Sequence, residues 1–312
     1  MSSRTWYILG AGSIGCLWAA NIHKAFGVPP VMIVRNREHY FDRESFDHKS
    51  SQKPLLTLTH LDKTESQHPV RIITADEITV PVHQLIVCTK AGDTLAALQS
   101  VSPVLARQCN ILLLQNGMGS QQLISEAFPE QNVWVGSVTD GAWTKKPLHV
   151  CHAGQGVTAI GRFNQQPITS WLDQFHRFSL TVKVCDNIER LLWQKLAINC
   201  AINGLTALFD CQNGQLLEAD KKPLMDELIN EFILVSKVLG HPATESVHQK
   251  VYEVCRLTAA NRSSTCMDAR LQRKTELAYI NGYLIKMATQ QGLELPAHQQ
   301  LMEKLSHKGI RW

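Results

Sequence analysis

Lys195, Asn199 and Asn203 recur at every fourth position within an otherwise apolar run, IERLLWQKLAINCAINGLTAL, over residues 188–208. On one helix these three fall within about 80° of arc, spread over roughly 12 Å of axis, and Thr206 joins the same arc. A helix that is apolar nearly all round is buried, so a polar stripe on it needs something to face. An ammonium held there stabilises negative charge that develops on a reacting oxygen and can donate the proton that quenches it. Taken alone, the stripe allows two readings: a site, or a Lys that snorkels to the surface beside two paired amides.

A second set of residues points to phosphate binding. A short apolar strand over residues 6–9 leads into Gly10-Ala11-Gly12-Ser13-Ile14-Gly15, followed by helical apolar spacing over residues 16–24. The glycines of GxGxxG permit a tight turn, close backbone approach to a pyrophosphate and close helix packing. The helix start supplies open N–H groups to the phosphates. After the next strand, residues 31–34, stands Arg35, where a domain preferring NAD carries Asp or Glu. A guanidinium suits a 2′-phosphate by charge and bidentate geometry, so the pattern predicts NADP.

Two further buried strands, residues 85–89 and 111–114, end in Lys90 and in Gln115-Asn116-Gly117-Met118-Gly119. Gly12, Arg35, Lys90 and Asn116 thus each follow a separate strand, at the end where open α/β sheets bind ligands. Strands over 133–138, 157–160 and 180–184 complete the predicted sheet, with 140–143 as a loop within reach of the cofactor. Residues 36–80 read as loops and short strands on one edge of that sheet.

Beyond Asp186 the pattern turns helical. The chain therefore reads as α/β: a Rossmann-type dinucleotide-binding domain over 1–186, then an all-helical domain over 187–312. In the latter the stripe helix is followed by a turn at 209–214 and a helix over 223–239 stopped by Gly240. His241-Pro242 restarts the chain, and helices over 246–259 and 267–291 follow. The last is entered through Asn261-Arg262-Ser263-Ser264-Thr265, with Pro296 as a breaker beyond it. On one continuous helix Ser264 and Glu276 would lie about 120° apart, so joint use of both requires Ser264 at the helix entrance.

Composition narrows the function classes. A chain of 312 residues has the length of two domains. The net charge of +4 is spread along it without a basic cluster, which argues against nucleic acid as partner. Nine cysteines without a CxxC pair or zinc spacing read as reduced thiols and no metal site. No apolar run is long enough for a membrane span or a signal segment, so the cytoplasm is expected, with a monomer and a homodimer both open.

These motifs carry a resemblance over most of the chain. LGAGSIGCLWA, TKAGD at Lys90, QNGMG at Asn116, LLWQKLAINCAINGLTAL and NRSSTCMDARLQRKTELAYINGYLI resemble the ketopantoate reductase (2-dehydropantoate 2-reductase) family. The resemblance implies an active site in a cleft between the two domains and NADPH-dependent reduction of a small 2-keto acid, 2-dehydropantoate, to (R)-pantoate for pantothenate and coenzyme A. It implies Lys195 as general acid, and Glu276 as a catalytic partner of substrate and cofactor. Asn199, Asn203, Asn213, Asn261, Ser264 and Asn116 are implied as substrate contacts, with Lys195 at the carbonyl, Asn199 and Asn203 along the hydroxylated end and Ser264 at the carboxylate. Gly10, Ala11, Gly12, Ser13, Ile14, Gly15, Arg35, Lys90, Asn116 and Ala142 are implied as NADPH contacts. The chain departs from the family at Gly204, where Pro is common, and at Thr265, where Met is. Two alternatives stand beside this reading: a paralogue reducing another branched 2-keto acid, and a non-catalytic NADP(H)-binding sensor.

Overall fold

A computed structural model describes residues 5–40, 54–163, 170–241 and 246–312. The chain forms two compact units, one of Met1–Gln115 and Gln121–Ile188, the other of Asn116–Ser120 and Glu189–Trp312.

The first unit carries two sheets. Its strands are β1 (Tyr7–Leu9), β2 (Val31–Ile33), β3 (Leu55–Thr59), β4 (Glu65–Pro69), β5 (Arg71–Ile73), β6 (Val82–Val87), β7 (Leu105–Leu113), β8 (Asn132–Val138), β9 (Gly141–Lys146), β10 (His149–Gly154), β11 (Val157–Arg162) and β12 (Thr181–Val184). The larger sheet has the order β12-β11-β8-β7-β6-β1-β2-β5. From β5 to β8 every neighbouring pair is parallel, whereas β11 runs antiparallel to β8. Strand order reverses between β1 and β6. A crevice opens at such a switch point, beyond the carboxyl ends of the strands. This is the expected Rossmann-type arrangement. Its central strands β1, β2 and β8 are buried throughout, as strands covered on both faces are, and such strands read as largely apolar runs.

Helix α1 (Ser13–Phe26) is buried continuously from Gly15 to Ile22. One sheet cannot cover a helix all round; the cover comes from the smaller sheet, order β4-β3-β10-β9, whose four strands all pack on α1. This corrects two expectations. Residues 55–69 are not on the edge of the main sheet; only β5 is. Residues 141–143 are not in a loop but open β9, with Ala142 paired to His152 of β10. The half-buried alternation of β3 suits a sheet that shows one face to a core. The expectation for 36–80 also covers residues 41–53, which lie outside the described residues. Helices α2 (Thr94–Val101) and α3 (Ser120–Ala127) follow β6 and β7.

The second unit is helical: α4 (Ile188–Phe209), α5 (Lys222–Val238), α6 (Val247–Leu257), α7 (Ser264–Arg270), α8 (Asn281–Gln290) and α9 (Pro296–His307). Gly240 stops α5 as expected, in a left-handed conformation with His241 N bonded back to Ser236 O. The expected restart at Pro242 lies outside the described residues. The single helix expected over 267–291 is instead broken into α7 and α8. Gln272 adopts φ +53°, and Arg273 N donates to Asp268 O at 2.8 Å. That is a Schellman ending built without glycine, so the sequence carries no punctuation for it. Pro296 does not merely break the chain. It occupies the first turn of α9, and the Ala297 and His298 N–H groups behind it donate to Glu231 at 2.7 and 3.0 Å.

The GxGxxG turn yields a stability prediction. A Cβ at Gly15 would lie 2.2 Å from the carbonyl oxygen of Gly10, a clash with backbone that no rotamer relieves. Gly15→Ala is expected to destabilise the protein by about 1–3 kcal/mol, read as a lower denaturant midpoint; an unchanged midpoint would show that the close helix packing is not required.

Candidate functional site

Three glycines divide the work of the turn after β1. Gly10 has φ +100° and lies against the backbone of Cys88 and Thr89, at the end of β6. Gly15 packs on Gly10 as described. Gly12, at the N-cap of α1, has only Cys88 O at 4.0 Å from where a Cβ would sit. Gly12 therefore leaves its backbone open to a close-lying group. No side chain caps α1 and no acidic residue stands in its first turn, so the N–H groups near Ser13 and Ile14 point into a region of positive potential. The cradle fits a pyrophosphate. Arg35 follows β2 with 86% of its side chain exposed, near Asp93 at 3.8 Å. Lys90 is half-buried and starts the short turn Ala91–Asp93. Ala142 is half-buried on β9. Asp93, beside Arg35, is a neighbour that sequence reasoning did not single out, although it belongs to the same TKAGD stretch.

In the helical unit the stripe of α4 meets the segment 116–120. Lys195 Nζ donates to Asn116 Oδ1 at 2.8 Å, and Asn116 Nδ2 donates to Glu276 Oε2 at 3.3 Å. The Asn116 amide thus bridges an ammonium and a carboxylate and matches each with the correct end of its dipole. Asn116 was expected as a ligand contact; its bridging place between Lys195 and Glu276 was not. Two opposed effects act on Lys195. Burial disfavours its charged form, the Glu276 carboxylate favours it, and burial wins, so its pKa falls from 10.5 to about 8.

The bridge depends on how residues 116–120 are docked. Met118 N donates to Tyr279 O at 2.8 Å. Gly117 has φ +82°, and a Cβ there would meet Tyr279 O at 2.3 Å; Gly119 has φ +99° against the Tyr283 ring. The two glycines of QNGMG therefore let the segment lie flat on the start of α8. Glu276 stands just before the 3-10 turn Leu277–Tyr279, so one short stretch supplies both the carboxylate and the docking carbonyl.

The remaining expected residues divide into two groups. Asn199 is half-buried and Asn203 buried on α4, and neither side-chain amide has a hydrogen-bond partner among the described residues. Further along, Thr206 Oγ1 is 2.7 Å from Ser263 Oγ, which ties α4 to the entrance of α7. Ser263, not Ser264, is the N-cap, accepting from Cys266 N at 3.0 Å. Ser264 is exposed at the first position of α7, and Asn261 is exposed just before it. Asn213 N donates to Asn261 O at 2.8 Å, and Asn213 Nδ2 donates to Thr258 Oγ1 at 2.9 Å. The Asn213 amide nitrogen is thus engaged in holding its turn to the end of α6.

Gly117→Ala tests the docking. Strain at positive φ together with the clash at Tyr279 is expected to cost about 1–3 kcal/mol, seen in equilibrium unfolding. An unchanged stability would mean that residues 116–120 are not held on Tyr279.

Comparison with known proteins gives a consistent picture. The family profile described as "Ketopantoate reductase PanE/ApbA" matches residues 6–165, and that described as "Ketopantoate reductase PanE/ApbA C terminal" matches residues 187–309. The chain is 29% identical over 310 residues to a 2-dehydropantoate 2-reductase of Vibrio cholerae, covering 98% of both chains. It is 37% identical over 227 residues to that of Yersinia pestis, covering 72% of this chain and 73% of the relative. The crystal structure of a probable 2-dehydropantoate 2-reductase from Bacillus subtilis superposes with a TM-score of 0.81 at 26% identity, covering 97% of this chain and 99% of the other. With both halves matched, and with this degree of identity over this much of its length, the chain belongs to the ketopantoate reductase family.

Proposed function

We propose that this protein reduces the ketone of 2-dehydropantoate to (R)-pantoate with NADPH, the step that feeds pantothenate and coenzyme A synthesis. The observation that carries the mechanism is the Lys195–Asn116–Glu276 arrangement, an ammonium held at 2.8 Å by an amide that a carboxylate orients in turn. Family membership supplies the substrate class, a small 2-keto acid.

In the first unit the backbone of Gly10–Gly15 would hold the pyrophosphate of NADPH, and Arg35 the 2′-phosphate, with Lys90 and Ala142 as further contacts. Gly12, with room where a Cβ would be, supports this reading. When bound, NADPH supplies a hydride. The chain's own part is to bind the keto acid and manage the charge on its carbonyl oxygen. Lys195 stabilises that charge and gives the oxygen a proton. A pKa of about 8 keeps roughly nine-tenths of the ammonium protonated at pH 7 while easing loss of the proton. Glu276 keeps the charged form from becoming rarer still. Asn199 and Asn203 would take the hydroxylated end of the substrate, and Asn261 and Ser264 its carboxylate; Asn213 would support them from its turn. Among the described residues no helix is long and apolar enough to cross a membrane. Nine free cysteines suit a reducing cytoplasm, where the protein would act as a monomer or a homodimer.

The reaction is tested by steady-state turnover with NADPH across a small panel of 2-keto acids. The highest kcat/KM is expected for 2-dehydropantoate; preference for another acid assigns the protein to a different branch, and no turnover at all overturns the proposal. Lys195→Ala should lose about 10²–10⁴ in kcat. Because the protonated form is the active one, kcat for reduction should fall as pH rises through about 8. Glu276→Gln removes the charge that raises the Lys195 pKa, so this fall should move to lower pH. Arg35→Ala probes the cofactor: NADPH binding should weaken far more than NADH binding, and equal loss of both would mean that Arg35 does not meet a 2′-phosphate.

A further inference from the structure

Glu276 is carried by a stretch that regular secondary structure does not hold. Gln272 and Arg273 close the end of α7, and Tyr279 N takes the Glu276 carbonyl into the turn that follows. Between these anchors the backbone is tied sideways, to Arg311. Thr275 N donates to Arg311 O at 2.8 Å, and Arg311 Nη2 donates to Gln272 O at 2.8 Å. The two bonds bracket residues 273–274, and one of them falls on the residue immediately before Glu276. The chain around Arg311 is itself fixed. Lys308 Nζ donates to Leu208 O at the end of α4, and Ile310 N to Leu305 O. Residues 308–311 thus link the helix that bears Lys195 to the loop that bears Glu276.

Thr275 and Leu277, either side of Glu276, are buried, whereas residues 271–274 are exposed. Arg311 is exposed, and an open cavity of about 490 Å³, lined by Lys274, Ser306, Gly309, Ile310, Arg311 and Trp312, lies against it. Residues 272–274, on the near side of Glu276, are therefore held by directed hydrogen bonds rather than by a filled core. The bond it supports, from Asn116 to Glu276, is long at 3.3 Å, so a small displacement of the loop breaks it.

We propose that Arg311 is a positioning residue for proton transfer: its carbonyl and its guanidinium together hold residues 272–275 so that Glu276 stays against Asn116. The inference rests on the reading of Lys195 as the acid and Glu276 as its charge partner. With the loop slack, Lys195 loses the carboxylate that favours its charged form, and Asn116 loses the group that orients its amide.

The test compares Arg311→Ala, Arg311→Lys and Glu276→Gln in the full chain. In Arg311→Ala the alkaline fall in kcat should move to lower pH, in the same direction as in Glu276→Gln. Its kcat should drop by up to about 100-fold with little change in KM. Hydrogen exchange of the amides in residues 271–280 should accelerate without any loss of global stability. Arg311→Lys keeps a donor for the Gln272 carbonyl and should restore the profile and the protection. If Arg311→Ala unfolds, Arg311→Met retains the apolar stem and is read in its place. A wild-type pH profile and unchanged exchange in the Arg311 variant, beside a shifted profile in Glu276→Gln, would overturn the proposal alone. An unshifted profile in Glu276→Gln would overturn the Lys195–Glu276 reading and the proposal with it.

Discussion

The chemistry assigned to this protein depends on one amide. Asn116 accepts from Lys195 and donates to Glu276, and so holds an ammonium and a carboxylate within electrostatic reach of one another. The Glu276 carboxylate favours the charged form of Lys195. Burial opposes it and is the larger effect. The balance of the two leaves a pKa of about 8. It also has a cost. The Lys195 pKa is lower folded than unfolded, so the penalty for enclosing its charge is present at pH below 8 and is relieved as pH rises toward 10.5.

Much of the surrounding structure serves that amide. The left-handed Gly117 and Gly119 lay residues 116–120 on the Tyr279 carbonyl and the Tyr283 ring. The left-handed Gln272 ends α7 early, and this early ending frees Glu276 from any helix. Gly204 stands where the family commonly has Pro. It lies inside α4, five residues before Phe209, and a Cβ there would meet Leu301 Cδ2 of α9 at 2.8 Å. Its small size serves close packing of α9 on the helix that presents Lys195. Thr265, the other departure, is buried within α7 at 2% exposure.

What the sequence made legible follows from period and punctuation. Apolar runs marked the central strands of the main sheet, the glycine spacing marked the turn after β1, and Gly240 marked the end of α5. The stripe of Lys195, Asn199 and Asn203 stands on one helix as its spacing required. Other features had no such mark. The smaller sheet was hidden because its strands lie far apart in sequence, β3 and β4 near residue 60 and β9 and β10 near residue 147; only their common packing on α1 makes them one layer. The break between α7 and α8 was hidden because Gln272 adopts a conformation usually left to Gly or Asn. The bridging place of Asn116 was hidden because it needs residues 116, 195 and 276 together, and no periodicity joins them.

The most direct test of the account is the titration of Lys195 itself, followed by NMR of the folded protein with isotope-labelled lysine and assigned with the Lys195→Arg variant. A midpoint near 8, moved lower in Glu276→Gln, is the predicted result. A midpoint at the ordinary value of 10.5, indifferent to Glu276, would contradict the claim that burial opposed by a bridged carboxylate tunes the acid.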